Sequence, residues 1–584
     1  MSVRGPEPIS PAPPPPRLSE ALAGIFNLPS ALSSWHRKRH VSPLWTAIAA
    51  LVLLVVALPI VTVLLLALNP ADNIWPHLVS TVLPGSLWRT LLLSGGVAVL
   101  TFAVGTATAW LITMYRFPGR EVLDRLLVLP LAVPTYIIAY CYVELFDYAG
   151  PVQTHFRSIF GFTNADYWFP HVRSLGGAIF VLSAVLYPYV YLTARASFAQ
   201  QSVCVLEVAR TLGRSPLAAF AGVALPLARP AIAAGVALVV MECLNELGAV
   251  QYLGVDTLSA SIFATWMQRS NLGGAAQLAA VMLLLVAGLF AVERAARGGS
   301  RSHHTTGRYR AIPFQEIVGW KGVVAAGLAS LPFFFGFVVP LLVIAQDAAT
   351  HTEGALSSGF IPAAGNTLVL AIIAAAVTIA VALTLGYARR VARTRFIRLA
   401  GRVAALGYAV PGTVLAIGLL IPLAGIDNYV DGFMRSTFGV STGLLLSGSL
   451  FAITLAYMIR FLAVALAPIG AGLDRVSPNL DAAARTLGES ALSSLWRVHL
   501  PLLMAPLGAA ALLVFVDCMK ELPATLLLRP FNFETLATHV YSLASMEQLE
   551  QASLGALTIV LAGLVPVLLL HEAIAGGRPG ASQR

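Results

Sequence analysis

Charge is what this sequence has least of. Of 584 residues only 11% are Asp, Glu, Lys or Arg, 58% are hydrophobic, and mean hydropathy is +0.80. A soluble domain carries about 25% charged residues, so this chain could not keep a globular surface wet, and most of its surface must meet lipid. Cysteine is scarce too. Cys141, Cys204, Cys243 and Cys518 have neither metal-ligand spacing nor disulfide-scaffold density, and read as small apolar residues in or near helices. No Gly-Lys dipeptide occurs, because Lys38, Lys321 and Lys520 follow Arg37, Trp320 and Met519. A P-loop needs GxxxxGK and then Ser or Thr, so energy from ATP would have to come from another protein. LSGG at 93–96 lies inside an apolar run with no nucleotide domain around it. The histidines supply no ligand set: His303-His304 is in a polar linker, and His155 and His171 are on a loop. No cleavable leader is expected. The first apolar run is longer than a signal-peptide core and has no small-residue cleavage site, and residues 1–43, with PAPPPP at 11–16, carry no core pattern. A disordered cytoplasmic tail and an uncleaved first helix are expected.

Long apolar runs are what the chain has instead. Crossing ~30 Å of hydrocarbon takes about 20 residues, and runs of that kind fall near 44–68, 88–114, 122–147, 174–198, 228–252, 276–294, 323–347, 364–388, 399–424, 442–467, 503–528 and 553–575. The net charge of +10 is explained by topology. With a cytoplasmic N-terminus, the inside segments hold Arg37, Lys38, Arg39, then Arg294, Arg297, Arg301, Arg308, Arg310, Lys321, then Arg389, Arg390, Arg393, Arg395, Arg398, Arg402. Outside loops hold little beyond Arg157, Arg173, Arg269, Arg435 and Arg529. This is the positive-inside asymmetry, and no nucleic-acid partner is needed to account for it.

The runs repeat. EVARTLGRSPLAAFAGVALPLARPAIAAG (207–235) aligns with AAARTLGESALSSLWRVHLPLLMAPLGAA (482–510), and ECLNELGA (242–249) with DCMKELPA (517–524), both 275 residues apart. RTLLLSGG (89–96) aligns with NTLVLAII (366–373), and Pro134 with Pro411, 277 apart. Six spans per half put both halves in one orientation, a parallel repeat about an axis along the membrane normal. The predicted organisation is an N-terminal tail (1–43), a first half (44–294), a basic cytoplasmic linker (295–322), a second half (323–575) and a C-terminal tail (576–584), with both termini cytoplasmic.

Between the fourth and fifth spans of each half lies a cytoplasmic loop. Glu207 to Leu212 and Ala482 to Leu487 predict short helices that stop at Gly213 and Gly488, glycine being able to take φ > 0 beyond a helix end. Leu225-Pro226 and Leu500-Pro501 then set the start of the next span. The pattern of acid, Ala-Ala, three residues, Gly, nine residues, apolar, one residue, Leu-Pro resembles the loop of bacterial ABC-importer permeases. The resemblance implies an all-α polytopic membrane protein of about 12 transmembrane helices in two parallel six-helix repeats of that permease type. It implies that the loop forms a coupling helix seated in a cleft of an ATPase subunit. The residues carried over are Glu207, Ala209, Arg210, Thr211, Leu212, Gly213 and Pro226 in the first copy, and Asp481, Ala483, Arg485, Thr486, Leu487, Gly488 and Pro501 in the second. The copies differ, with Val208 in place of Ala, and with Ala482 where the acid would stand and Asp481 one place earlier. Two unequal ATPase contacts are therefore expected.

KELPATLLLRPFNFETLATHVY (520–541) and GAVQYLGVDTLSASIFATWMQ (248–268) look like the fused two-half permeases of ferric-iron importers. This resemblance implies an inner-membrane subunit that is not itself an enzyme, with two copies of a cytoplasmic ATPase carrying ATP-Mg, a periplasmic binding protein, and transport by alternating access. Thiamine, aminoethylphosphonate and polyamine permeases share the loop and stand as alternatives. An ion-gradient-driven twelve-helix carrier is a further one, but has no reason to repeat a glycine-bent loop after span four. For the substrate path, acids inside spans are expensive and mark function by default. Glu242 and Glu246 match Asp517 and Glu521, each pair at i, i+4 and so on one helical face. Four carboxylates near the axis suit a hard cation, since Fe(III) favours oxygen ligands, with Tyr136, Tyr140 and Glu144 as further oxygens and no stable metal site. Lys520 is adjacent and offers a partner that would make the acids structural.

Overall fold

The computed structural model describes residues 43–163, 166–200, 215–297, 315–351, 359–392 and 394–576. They are helical almost throughout. Ten helices are long and apolar enough to cross a membrane, and two bent pairs complete a set of twelve. The first half contains α1 (Pro43–Leu68), α2 (Leu83–Met114), α3 (Arg120–Leu126), α4 (Thr135–Phe146), α5 (Leu175–Gln200), α6 (Leu225–Asn245) and α7 (Leu272–Arg297). In the second half, α8 (Trp320–Phe333) runs through a wide turn into α9 (Val339–Thr350). There follow α10 (Ile361–Ala392), α11 (Arg395–Leu406), α12 (Gly412–Phe438), α13 (Leu450–Arg475), α14 (Pro478–Thr486), α15 (Met504–Met519) and α16 (Leu549–Gly576). Tyr115–Arg116 pairs in parallel with Gln315–Glu316, joining the two halves at one edge.

Four of the predicted spans are not continuous helices, and proline explains much of this. The third predicted span breaks at Val133-Pro134, both extended (ψ 120° and 141°), and the ninth breaks at Val410-Pro411 in the same way (ψ 120° and 143°). Proline offers no N–H and forces its predecessor out of the helical region. The two legs of the third span meet at 94°. The fifth span ends at Asn245, with Glu246 extended, and the chain restarts as the short helix Gly248–Tyr252. The eleventh ends at Met519 and restarts at Pro523–Leu528. Glu246 and Glu521 therefore lie beyond the helices that carry Glu242 and Asp517, and the expectation of one shared helical face is corrected.

Packing interlocks the halves. On α1, Trp45, Ala49, Val52 and Val56 are buried while Leu51, Leu54 and Leu65 are exposed to lipid. Its buried face lies on the second half: Trp45 meets Tyr387 of α10 edge-on at 5.4 Å. At Gly418 of α12 a Cβ would stand 2.3 Å from the Pro59 carbonyl oxygen. Conversely, the wide turn after α8 lies on the first half, where the Tyr142 hydroxyl donates to the Phe335 carbonyl at 2.6 Å. One core joins α2, α4, α5 and α6 to residues of α8, α9 and α16, and the other joins α10, α12, α13 and α15 to residues of α1 and α7. Each core thus takes its first and last spans from the other half of the sequence.

Candidate functional site

At the junction of the halves α4, α5, α6, α13 and α15 enclose a cavity of about 100 Å³. Glu242, Asn245 and Glu246 line it from the first half with Thr135, Tyr136 and Tyr189, and Tyr408, Arg460, Asp517, Lys520 and Glu521 line it from the second. All four predicted acids thus reach one cavity. So do two bases, and the acids differ in role.

Glu521 is the most heavily bonded of the four acids. Its carboxylate accepts from the backbone N–H of Ala524 (2.9 Å) and Thr525 (3.0 Å), from the Thr525 hydroxyl (2.6 Å) and from Arg460 Nη1 (3.2 Å). Glu246, its repeat mate, accepts from the Thr135 hydroxyl and, at 2.9 Å, from the Ala249 N–H. Each thus satisfies an otherwise unpaired N–H at the start of the short helix that follows it, which is why the chain restarts there. Glu242 and Asp517 are held more lightly. Glu242 accepts from the Tyr408 hydroxyl at 2.6 Å, and Asp517 pairs with Lys520 Nζ at 2.9 Å. Tyr140 stands behind Tyr136 rather than on the cavity wall, its ring 5.9 Å away. Glu144, further along α4, interacts with Asp347 instead of the cavity.

Arg460 was missed by the sequence reading, although it is the one charged residue in 450–473, and a charge inside a span is a functional signal. Arg460 Nη1 also donates to Asn245 Oδ1 at 3.0 Å, and that oxygen accepts from Gly412 N at 2.8 Å, so the arginine ties α13 to α6. Its repeat mate is Val185, and that of Lys520 is Asn245. Both bases therefore come from the second half, and the cavity is charged unequally across the pseudo-twofold axis.

Of the first loop, Glu207, Ala209, Arg210, Thr211, Leu212 and Gly213 lie outside the described residues. In the second, α14 is capped by Ser477 and ends before Gly488, whose φ is +82°. Ala483, Arg485 and Thr486 are exposed, and Leu487 is 83% exposed, with Leu480, Leu492 and Trp496 also uncovered. Both loops re-enter through a π-helical turn, Phe220–Ala224 and Leu495–His499, a bulge often found at functional sites. Pro226 then lies in the first turn of α6. Pro501 sits in the short turn Leu500–Leu502, and α15 starts only at Met504, bent 79° from it. Pro506 removes the N–H that Leu502 would otherwise bond.

Asp481 points into the molecule. Arg390 Nε and Nη2 meet it at 2.9 and 2.8 Å, and the buried His499 ring at 2.7 Å. Arg390 further holds the carbonyls of Leu473, Val476 (2.8 Å) and Ser477 (3.3 Å), binding α14 to the ends of α10 and α13. At the matching first-half positions stand Leu206, Thr113 and Ala224. Burial alone would raise the Asp481 carboxyl, but the hydrogen bonds and charges of Arg390 and His499 outweigh it and hold it below the ordinary 3.8. The anchor therefore contributes fully above that value and fades as pH falls below it and through the lowered folded-state value. Asp481→Asn is expected to loosen α14 at neutral pH, seen as faster proteolysis of the 478–490 segment, with the difference from wild type disappearing as pH falls through the lowered value and the native carboxyl protonates.

The binding-protein-dependent transport system inner membrane component family matches residues 101–295. The sulfate transport system permease protein CysT of Salmonella typhimurium is 32% identical over 200 residues, covering 33% of this chain and 69% of that protein. The chain belongs to this family. The Fe(3+)-transport system permease protein FbpB 2 of Haemophilus influenzae is 27% identical over 490 residues, 83% of this chain and 89% of the relative. The 2-aminoethylphosphonate transport permease PhnU of Salmonella choleraesuis, named as putative, is 29% identical over 223 residues, 37% of this chain and 77% of the relative. The protein is accordingly an importer permease, a multi-pass inner-membrane subunit whose relatives are transport subunits rather than enzymes.

Proposed function

We propose that this permease carries ferric iron, delivered by a periplasmic binding protein, by alternating access driven by two copies of a separate ATPase carrying ATP-Mg. The observation that supports the substrate is shared architecture: the ferric-iron relative matches along both halves, whereas the sulfate and phosphonate relatives, matched over 69% and 77% of their own lengths, correspond to about a third of this chain. The residues that serve the path are Glu242 and Asp517, the two cavity acids not committed to capping the next helix. Two loops, 207–213 and 481–488, serve as ATPase docking points, with both termini cytoplasmic. ATP closes the ATPases and draws the loops together. The motion passes to α6 and α15, which follow the loops directly, and switches the cavity between the two sides.

Glu242→Gln combined with Asp517→Asn is expected to abolish uptake of labelled ferric iron while expression and membrane insertion stay normal. Unchanged uptake would remove the acids from the path. A second reading, an oxyanion substrate, draws on Arg460 and Lys520 in the same cavity. Uptake of labelled ferric iron measured against sulfate, phosphonate, thiamine and polyamines, in cells lacking the gene, separates the two.

A further inference from the structure

Three aromatic rings lead from the surface to the cavity along one wall. Tyr252 lies at the outer end, where the Arg173 guanidinium stands 5.0 Å from its centroid. Arg173 precedes α5, whose other end leads to the first docking loop, so this end of the ladder is remote from the ATPase side. Tyr252 meets Tyr140 edge-on at 4.4 Å, and Tyr140 is 5.9 Å from Tyr136, which borders the cavity acids. Tyr136 and Tyr140 are 3% and 4% exposed, and neither hydroxyl has a hydrogen-bond partner among the described residues. Buried hydroxyls are nearly always bonded, because the desolvation goes uncompensated otherwise. Two in succession on one helix face point to a partner that arrives in another state. A cross-junction bond lies beside them: the Tyr541 hydroxyl donates to Gln251 Oε1 at 2.6 Å, next to Tyr252.

At the matching second-half positions no such ladder stands. The repeat mates of Tyr136, Tyr140 and Tyr252 are Thr413, Ile417 and Leu527, of which Ile417 is fully buried. The phenols thus stand on the first-half wall, and both cavity bases on the second.

We propose that this ladder is the substrate's inlet: cargo moves along the first-half wall rather than down the pseudo-twofold axis, handed from Tyr140 to Tyr136 and on to Glu242. Opening separates Tyr541 from Gln251, and the two hydroxyls take up water and then the incoming ion. Phenol oxygen is a hard donor suited to a hard cation such as Fe(III). The choice of ion rests on the ferric-iron reading; the asymmetric route does not.

The test uses the complete transporter, permease with its ATPases, in vesicles. Tyr140→Cys and its repeat mate Ile417→Cys are exposed to a membrane-impermeant thiol reagent added from the side opposite the ATPases, with wild type as the background for the native cysteines. Tyr140→Cys is expected to be labelled when a non-hydrolysable ATP analogue is bound and protected without nucleotide, while Ile417→Cys stays protected in both. Equal labelling of the two, or labelling of neither, overturns the one-walled route. Tyr136→Phe and Tyr140→Phe, which keep the ring and the packing, are each expected to lower ferric-iron uptake about tenfold, the change for one lost hydrogen-bonding group. Normal uptake in both overturns the phenol role. State-dependent labelling of Tyr140→Cys together with no ferric-iron uptake by the wild-type transporter overturns the iron reading and leaves the route standing.

Discussion

Glu521→Ala is expected to destabilise the permease more than any other change at the cavity. The carboxylate accepts four hydrogen bonds, and its removal leaves Asn245 as the remaining hydrogen-bond partner of the buried Arg460 among the described residues. Breaking a buried ion pair by deleting one partner costs about 3–5 kcal/mol, because the surviving charge stays desolvated. Replacing both partners of an ion pair by apolar residues of similar size is often neutral, so Glu521→Met with Arg460→Met should recover the part of the loss due to the unpaired arginine, but not the three bonds from Ala524 and Thr525. Glu246→Ala, whose carboxylate has two hydrogen bonds and no ion pair among the described residues, should cost less. Thermal aggregation midpoints of the detergent-purified chain measure all three. A Glu521→Ala protein as stable as wild type but dead in uptake would make Glu521 a substrate contact instead of a structural one.

Gly488→Trp is expected to uncouple transport while leaving insertion intact. At φ +82° an L side chain is strained, and among the described residues, its two chain neighbours aside, no atom lies within 4 Å of the added Cβ, so an indole there stands where the ATPase is proposed to dock. Uptake and ATPase co-purification should both fall about tenfold or more, the effect of losing about 1.4 kcal/mol of docking energy. Gly488→Asn, which tolerates the left-handed conformation, should retain most of both. Leu487→Arg should act like tryptophan by charging the exposed apolar tip. Full transport in Gly488→Trp would end the docking role for this loop. The anchor on Asp481 makes the loop a lever as well as a surface: it is fastened to α10 and α13 through Arg390, so a push on α14 moves those spans too. The first half has Thr113 where the second has Arg390, which gives the expected inequality of the two docking points a physical basis.

Some of this was legible in residue order alone. The membrane class follows from 11% charge, because desolvating a chain's surface is a property of composition, independent of fold. The parallel repeat follows from two aligned blocks 275 apart, and the glycine bend after α14 from a residue type that φ > 0 requires. Even the breaks in the third and ninth spans were written in Pro134 and Pro411; a hydropathy scan overlooks them because proline interrupts hydrogen bonding without lowering apolarity.

What residue order could not reveal was which charges face which. Glu242 and Glu246 look alike in a helical projection and both reach the cavity, but a backbone break after Asn245 leaves Glu242 on its helix and commits Glu246 to capping the next one. Arg460 reaches Asn245 across 215 residues of sequence and Arg390 reaches Asp481 across 91. The exchange of first and last spans between the cores is equally invisible, since any apolar stripe packs acceptably on any other. Local preferences, set by backbone sterics and by transfer from water, can be read residue by residue. The pairing of a buried charge depends on helices brought together only after the chain has folded in the bilayer, and there the tertiary structure decided.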